Sequence, residues 1–329
     1  MRFEDIVGND DIKLQLQIAS QAAHINNYSV PHVLCAGQAG CGKTSMSKAL
    51  AASLNTNLIK IPAESIKKTT DVLDLAEKMC YDGYTREGKI VGQMRPTVVF
   101  LDEIHKMSLG GQESLGMAME EWYVANKNKW TGQIEEIWLP RFTVIGATTL
   151  EGKLSKPLRD RFKLIFYFSS YNKEESVNIV KMHAALKKIQ VSDEGAAEIA
   201  QRGRGVPRIL VGLLDNCAAA TTVMRHEVVD AVSANAAFEI MGIDDTGLTK
   251  EDISVLKALY KSGIPVGLDT LSVITNISPQ TIKDAKEPFL MQRDLLRRTG
   301  GGRVISKAGI EYLREYGYIE STRRFSNGK

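Results

Sequence analysis

Two hydrophobic periods alternate along the first half of the chain, and only one continues beyond it. Short apolar runs recur at 32–36, 57–61, 97–101, 142–147 and 164–168. Runs of four to six apolar residues bounded by turn formers predict strands buried on both faces. Between them the spacing is helical, with Ile12, Leu14, Leu16, Ile18 and Ala22 in 10–23 and Val72, Leu75, Ala76 and Met79 in 71–79. Helices are also predicted over 43–54 and 112–121. Strands and helices in alternation imply a parallel sheet, hence an α/β fold. Residues 81–93 carry Gly83, Gly88 and Gly92 without a period and predict a loop, whereas 122–138 alternates around Thr131-Gly132 as a hairpin would. Beyond Tyr171 the strand pattern stops. Helices are predicted over 173–188, 192–202, 207–225 and 226–241, with Pro207 suited to a first helical position. After the polar Asp244-Asp245-Thr246-Gly247, helices over 249–261, 267–275 and 278–287 and a hairpin over 295–305 suggest a winged helix. The expected domains are therefore 1–170, 171–243 and 247–329.

The first predicted strand leads into Gly37-Gln38-Ala39-Gly40-Cys41-Gly42-Lys43-Thr44, the phosphate-loop spacing G-x-x-x-x-G-K-[ST]. The glycines let successive backbone N–H groups converge on phosphate oxygens. Lys43 is spaced for the β- and γ-phosphates and Thr44 for Mg²⁺, while the helix beginning at Lys43 and Ser45 directs its positive end at the same anion. This predicts ATP and Mg²⁺ as cofactors. The run 97–101 ends in Asp102-Glu103. Ligands of α/β sheets gather at strand C-termini, so Asp102 is suited to order Mg²⁺ and Glu103 to polarise an attacking water. Thr148-Thr149, closing the fourth strand, offer hydroxyls for sensing the γ-phosphate or that water.

Composition adds bounds. The 329 residues are 43% hydrophobic and 25% charged, as in soluble globular domains. No apolar run is long enough for a membrane span and no basic-then-apolar leader follows Met1. Cys35, Cys41, Cys80 and Cys217 form no C-x-x-C pair, which predicts reduced thiols in the cytoplasm. Net charge is only +3, but from Gly247 onward 14 Lys and Arg face 9 Asp and Glu. Such a block suits nucleic acid, as it equally suits a solvated basic face.

Beyond these readings, several stretches together resemble one family. They are Asp102-Glu103-Ile104-His105, Leu139-Pro140-Arg141-Phe142 through Thr149, and Pro157-Leu158-Arg159-Asp160-Arg161-Phe162. Arg202-Gly203-Arg204-Gly205-Val206-Pro207-Arg208-Ile209 and Glu287-Pro288-Phe289-Leu290-Met291-Gln292 complete the set. In that order they resemble the RuvB family, AAA+ ATPases whose hexameric rings drive branch migration of Holliday junctions. The resemblance implies an AAA+ ATPase domain, a helical lid and a C-terminal winged helix that binds duplex or four-way junction DNA. It implies that Thr149, or alternatively Thr148, is a first sensor, that Arg161 is an arginine finger completing a neighbour's site, and that Arg208 is a second sensor. Ile6 and Val7 are expected beside the nucleotide, and Arg297, Arg298 and Arg303 on DNA phosphates. A RuvA-like partner, or a replacement for it, is expected on the hairpin 122–138, with Trp130 as anchor. Two other readings stay open: a AAA+ loader acting on another replication protein, and a winged-helix DNA-binding regulator whose ATP site governs assembly. The chain departs from the family in Gln38-Ala39 where Pro-Pro is usual, in the length between Lys43 and Asp102, in the hairpin tip, and in Gly300-Gly301-Gly302 at the wing.

Overall fold

The computed structural model describes residues 1–79, 84–86, 89–91, 97–127 and 132–320, with backbone alone for 84–86, 89–91, 126 and 127. Trp130, Cys80 and most of the expected loop 81–93 lie outside the described residues. Contacts divide the chain into two units, Met1–Ile179 with Val206–Arg208, and Val180–Gly205 with Ile209–Lys329.

The first unit opens with α1 (Asp10–Asn26), β1 (Val33–Gly37), α2 (Lys43–Ser53), β2 (Asn57–Pro62) and α3 (Thr69–Met79). Two short strands, β3 (Tyr84–Arg86) and β4 (Lys89–Val91), pair antiparallel where a loop is expected. Then follow β5 (Thr97–Asp102), α4 (Leu109–Glu121), β6 (Tyr123–Lys127), β7 (Ile134–Trp138), β8 (Phe142–Thr148), α5 (Lys156–Arg159) and β9 (Leu164–Phe168). The expected hairpin is β6–β7, with Tyr123 opposite Trp138. The five-stranded parallel sheet has the order β2-β5-β8-β1-β9. Its three inner strands, β5, β8 and β1, are covered on both faces. Val99, Leu101 and Val144 pack with α3 and α4, while Val33, Cys35, Ile145 and Phe166 pack with α1 and α2. All seven residues of β8, the middle strand, are buried. His32, just before β1, sits against Trp122 and Phe142 with ring centroids 5.9 and 5.8 Å away.

Helices follow the sheet: α6 (Lys173–Lys187), α7 (Asp193–Arg202), α8 (Pro207–Val223) and α9 (Ala231–Met241). The last starts later than the expected 226, because Asp230 caps it through Ser233 and Val229 makes a parallel bridge to Val191. The winged helix comprises α10 (Lys250–Ser262), α11 (Leu268–Thr275), α12 (Pro279–Thr281), α13 (Glu287–Gln292), β10 (Leu296–Thr299), β11 (Gly302–Ile305) and α14 (Lys307–Glu315). A π-helical stretch, Ile282–Lys286, joins α12 to α13, so this helix outruns its expected end at 287. α14, with Tyr312 and Leu313 in the core, has no counterpart in the sequence reading. Within the second unit Arg204 grips the winged helix. Its Nη2 donates to Asp252 Oδ2 at 2.6 Å and to Gly247 O at 2.7 Å, and its guanidinium lies 4.0 Å from the centre of the Phe289 ring.

Candidate functional site

The sheet order explains why residues distant in sequence share one edge. β8 lies between β1 and β5, so the phosphate loop, Thr148-Thr149 and Asp102-Glu103 leave three neighbouring strands at the same C-terminal end. At about 4.8 Å per strand, the ends of β1 and β5 are about 10 Å apart, a span suited to a triphosphate and its cation.

The loop's glycines are required by geometry at two places. Gly37 has φ 142°, and a Cβ there would collide with the Phe168 carbonyl. Gly40 has φ 86°, and a Cβ would stand 2.9 Å from Arg208 Cβ and 3.1 Å from Val206 Cγ1. Arg208 itself is exposed and is thus placed beside the loop. Lys43 is buried, and its ammonium donates to Gly37 O at 2.6 Å and Gln38 O at 2.8 Å. Burial pushes its pKa down, and the nearby Cys41, Glu103 and Asp102 oppose that shift. Cys41 is fully buried, and desolvation pushes its thiol up, so it serves through backbone rather than as a nucleophile. Thr44 and Ser45 open α2 half-buried. Ile6 packs into the cluster around Cys41 and Phe168, and its carbonyl accepts from Lys13 at 2.9 Å; Val7 is half-buried.

Glu103 is held in an unusual conformation, φ 50° and ψ 52°. A non-glycine residue there carries strain that its surroundings must sustain. Three groups do so. Its N–H donates to Asp102 Oδ1 at 3.1 Å, Thr149 Oγ1 donates to its Oε2 at 3.2 Å, and His105 Nδ1 lies 3.1 Å from the same oxygen. The same Nδ1 is hydrogen-bonded to Thr148 Oγ1 at 3.0 Å, and that hydroxyl oxygen accepts the Leu150 N–H at 3.0 Å. Burial pushes the His105 pKa below its ordinary value against the pull of Glu103. The two threonines are thus divided: Thr149 touches Glu103 directly, whereas the fully buried Thr148 reaches it through His105. Thr44 and Asp102 are a hydroxyl and a carboxylate at the phosphate end, the donor set Mg²⁺ takes when phosphates complete its shell.

Sequence reasoning assigned no role to His105, Asn9 or Tyr171. The Tyr171 hydroxyl accepts from Asn9 Nδ2 at 2.8 Å and lies 3.4 Å from Cys41 O, tying the loop to the start of α1; burial pushes the phenol up to about 12. No periodicity signals these contacts. The one available cue was polarity, since Asn9 stands ahead of α1 with φ 52°.

Arg161 is not at this edge. β9 runs parallel to β1 with Leu164 opposite Val33 and Phe168 opposite Gly37, so Arg161, before Leu164, lies at the other end of the sheet. Four residue steps alone separate those ends by about 13 Å. The wing arginines are also engaged. Arg298 Nε donates to Glu287 Oε2 at 2.8 Å, and Arg303 bonds the same carboxylate through Nε. Glu287 is 0% exposed and the Arg303 side chain 16%, so Arg303 is first a charge partner of a buried acid. Arg297 pairs with Asp294 at 3.0 Å and stays two-thirds exposed.

Comparison with known proteins finds relatives along nearly the whole chain. Residues 1–168 match the family model of the Holliday junction DNA helicase RuvB P-loop domain, 171–244 the RuvB AAA lid domain, and 245–314 the RuvB C-terminal winged helix domain. The Holliday junction branch migration complex subunit RuvB of Nostoc punctiforme is 34% identical over 317 residues, covering 95% of this chain and 82% of that protein. Its counterpart from Streptomyces griseus is 36% identical, covering 94% and 83%. Among solved structures, the Thermotoga maritima RuvB Holliday junction branch migration motor superposes with a TM-score of 0.77 at 30% identity, covering 93% of this chain and 95% of that one. With three family models in register and this identity over nearly its whole length, the chain belongs to the RuvB family.

Proposed function

We propose that the chain is an ATP-hydrolysing motor subunit that moves duplex DNA through a ring during Holliday-junction branch migration. The observation that carries this reading is the split between Glu103 and Arg161. The water-activating carboxylate sits at the phosphate-loop edge, held by Thr149 and His105. Arg161 sits at the opposite end of the same sheet, away from its own phosphate loop, which supports its acting on a neighbour's nucleotide. A site shared this way needs a head-to-tail interface, which closes into a ring, here a hexamer.

In this reading Lys43 exchanges its loop carbonyls for phosphate oxygens, Glu103 takes the proton of the attacking water, and Thr149 keeps that carboxylate in line. Arg208, packed on Gly40, reads the γ-phosphate from the same chain. Thr44 and Asp102 hold Mg²⁺, which supplies charge neutralisation across the phosphates. Ile6 and Val7 border the nucleotide. The division at 170/171 and 243/247 separates ATPase, lid and winged helix. Arg297 and the outer edge of Arg298 contact DNA phosphates. The exposed Ile134 and Trp138 of the β6–β7 hairpin offer an apolar face to a RuvA-like partner or its replacement. Among the described residues no helix is long and apolar enough to cross a membrane.

ATPase rates without DNA, with linear duplex and with four-way junction test the proposal. Sustained stimulation by DNA supports a motor. Stimulation only by another protein ring supports a loader instead.

A further inference from the structure

Arg161 opens onto a cleft of 780 Å³ that it shares with Glu120, Trp122, Lys156 and Lys163. It does not hang free there. Nη2 lies 2.7 Å from Glu120 Oε2, and Nη1 donates to Pro157 O at 2.5 Å. Nε is buried without a hydrogen-bond partner. The guanidinium packs against Gly116 of α4, where a Cβ would stand 3.3 Å from Nε and 3.4 Å from Cζ. Gly116 and Glu120 are four residues apart and share a helix face. One face of α4 thus supplies both a side-chain-free seat and a carboxylate beside the fork.

A guanidinium has five N–H groups in a fixed plane. Pro157 O takes an N–H of Nη1, the Glu120 carboxylate stands 2.7 Å from Nη2 and Nε is buried beside α4, so protein groups hold all three nitrogens of a fork that lines the cleft. Pairing of this kind fixes a fork's direction, which a phosphoryl group in transit needs more than proximity alone. The Glu120 side chain is 57% exposed, so the pair contributes little to stability. Its effect belongs to geometry.

We propose that Glu120 is a positioning residue for phosphoryl transfer in the adjacent subunit: it aims Arg161 across the interface at the neighbour's nucleotide. The proposal rests on Arg161 acting in trans. Glu120 is also the penultimate residue of α4, three residues before β6, so the residue that aims the finger stands at the root of the hairpin.

Mixed assemblies separate Glu120's role from a merely structural one. Glu120→Ala alone should hydrolyse ATP about ten- to a hundred-fold more slowly than the unmodified protein, as expected for a reacting group displaced by about 1 Å. KM should stay unchanged, and Glu120→Gln, which keeps an accepting oxygen, should recover most of the rate. Mixing Glu120→Ala with inactive Glu103→Gln should raise the rate, because intact nucleotide sites of the first then meet correctly aimed fingers of the second. Mixing it with Arg161→Ala should give no such rise, since every finger present lacks Glu120. A Glu120→Ala rate equal to or above the unmodified rate overturns the proposal, as does an equal response to both partners. The control is Arg161→Ala mixed with Glu103→Gln. Activity regained there, without the asymmetry above, overturns Glu120 alone. Silence there, with subunit exchange demonstrated, overturns the trans reading and the positioning proposal together.

Discussion

Arg303→Ala separates two uses of an arginine at the wing. Read as a phosphate contact, its loss flattens the dependence of log affinity on log salt by about one unit and leaves the fold intact. The structure assigns the larger effect elsewhere. Glu287 is 0% exposed and lies between Arg303 and Arg298. Removing one partner of a buried ion pair costs about 3–5 kcal/mol, because a buried charge is left uncompensated. Arg298, which is 46% exposed, still pairs with Glu287, so the lower end, about 3 kcal/mol, is expected. Such a loss raises exchange rates of the best-protected amides by about a hundred-fold or more. Native-state hydrogen exchange in the intact protein reads it directly at the α10 amides around Val255, Leu256 and Leu259, which lie in the winged-helix core. Arg303→Met combined with Glu287→Gln removes both charges and should recover part of the protection. Unchanged exchange at α10 together with a salt slope lowered by a full unit would refute the reasoning, and would make Arg303 a DNA contact after all.

Other consequences follow from the nucleotide edge and its surroundings. Glu103→Gln should bind ATP as tightly as before, by equilibrium titration, while turnover falls to background, since only the acceptor of the water proton is lost. Gly37→Ala should cost at least about 1–3 kcal/mol in thermal stability from backbone strain and weaken nucleotide binding, because its Cβ meets the Phe168 carbonyl. His32 Nδ1 accepts the Val144 N–H at 2.9 Å and Nε2 lies 3.1 Å from Met119 O. Burial pushes its pKa below the usual 6.5. The folded state therefore resists protonation more than the unfolded chain, so stability is flat above about pH 6.5 and falls as pH drops below it. His32→Phe should remove part of that slope in melting curves. Trp138→Ala, on a side chain 62% exposed, should leave basal ATPase intact and weaken capture of a junction-binding partner by at least about ten-fold.

The sheet was legible because its signals are local. A few short, largely apolar runs and one glycine spacing suffice to place β1, β5, β8 and the phosphate loop, since a strand buried on both faces must be mostly apolar. The late start of α9 was also foreseeable, because Asp230 and Ser233 make a capping pair readable at three-residue spacing. α14 was hidden by its own composition, its apolar residues Ile310, Tyr312 and Leu313 being few and flanked by charge. The site divides in the same way. Lys43, Asp102 and Glu103 are local patterns, whereas His105 and Tyr171 act through partners 43 and 130 residues away. The wing arginines show the opposite failure. Charge counting found them but could not find Glu287, whose burial depends on how α13 packs beneath the wing.

β8 sets a limit on how the site can respond. All seven of its residues are buried, with neighbours hydrogen-bonded on both sides, so its end is among the least deformable points of the sheet. Thr148 closes that strand, opposite Ala36 of β1, and Thr149 follows it. Dipoles anchored this way need little reorganisation when charge develops before them, and the entropy of arranging them is met during folding rather than in each turnover. The motion of a working cycle must then arise in softer parts of the chain, with the threonines serving as the fixed datum against which it is measured.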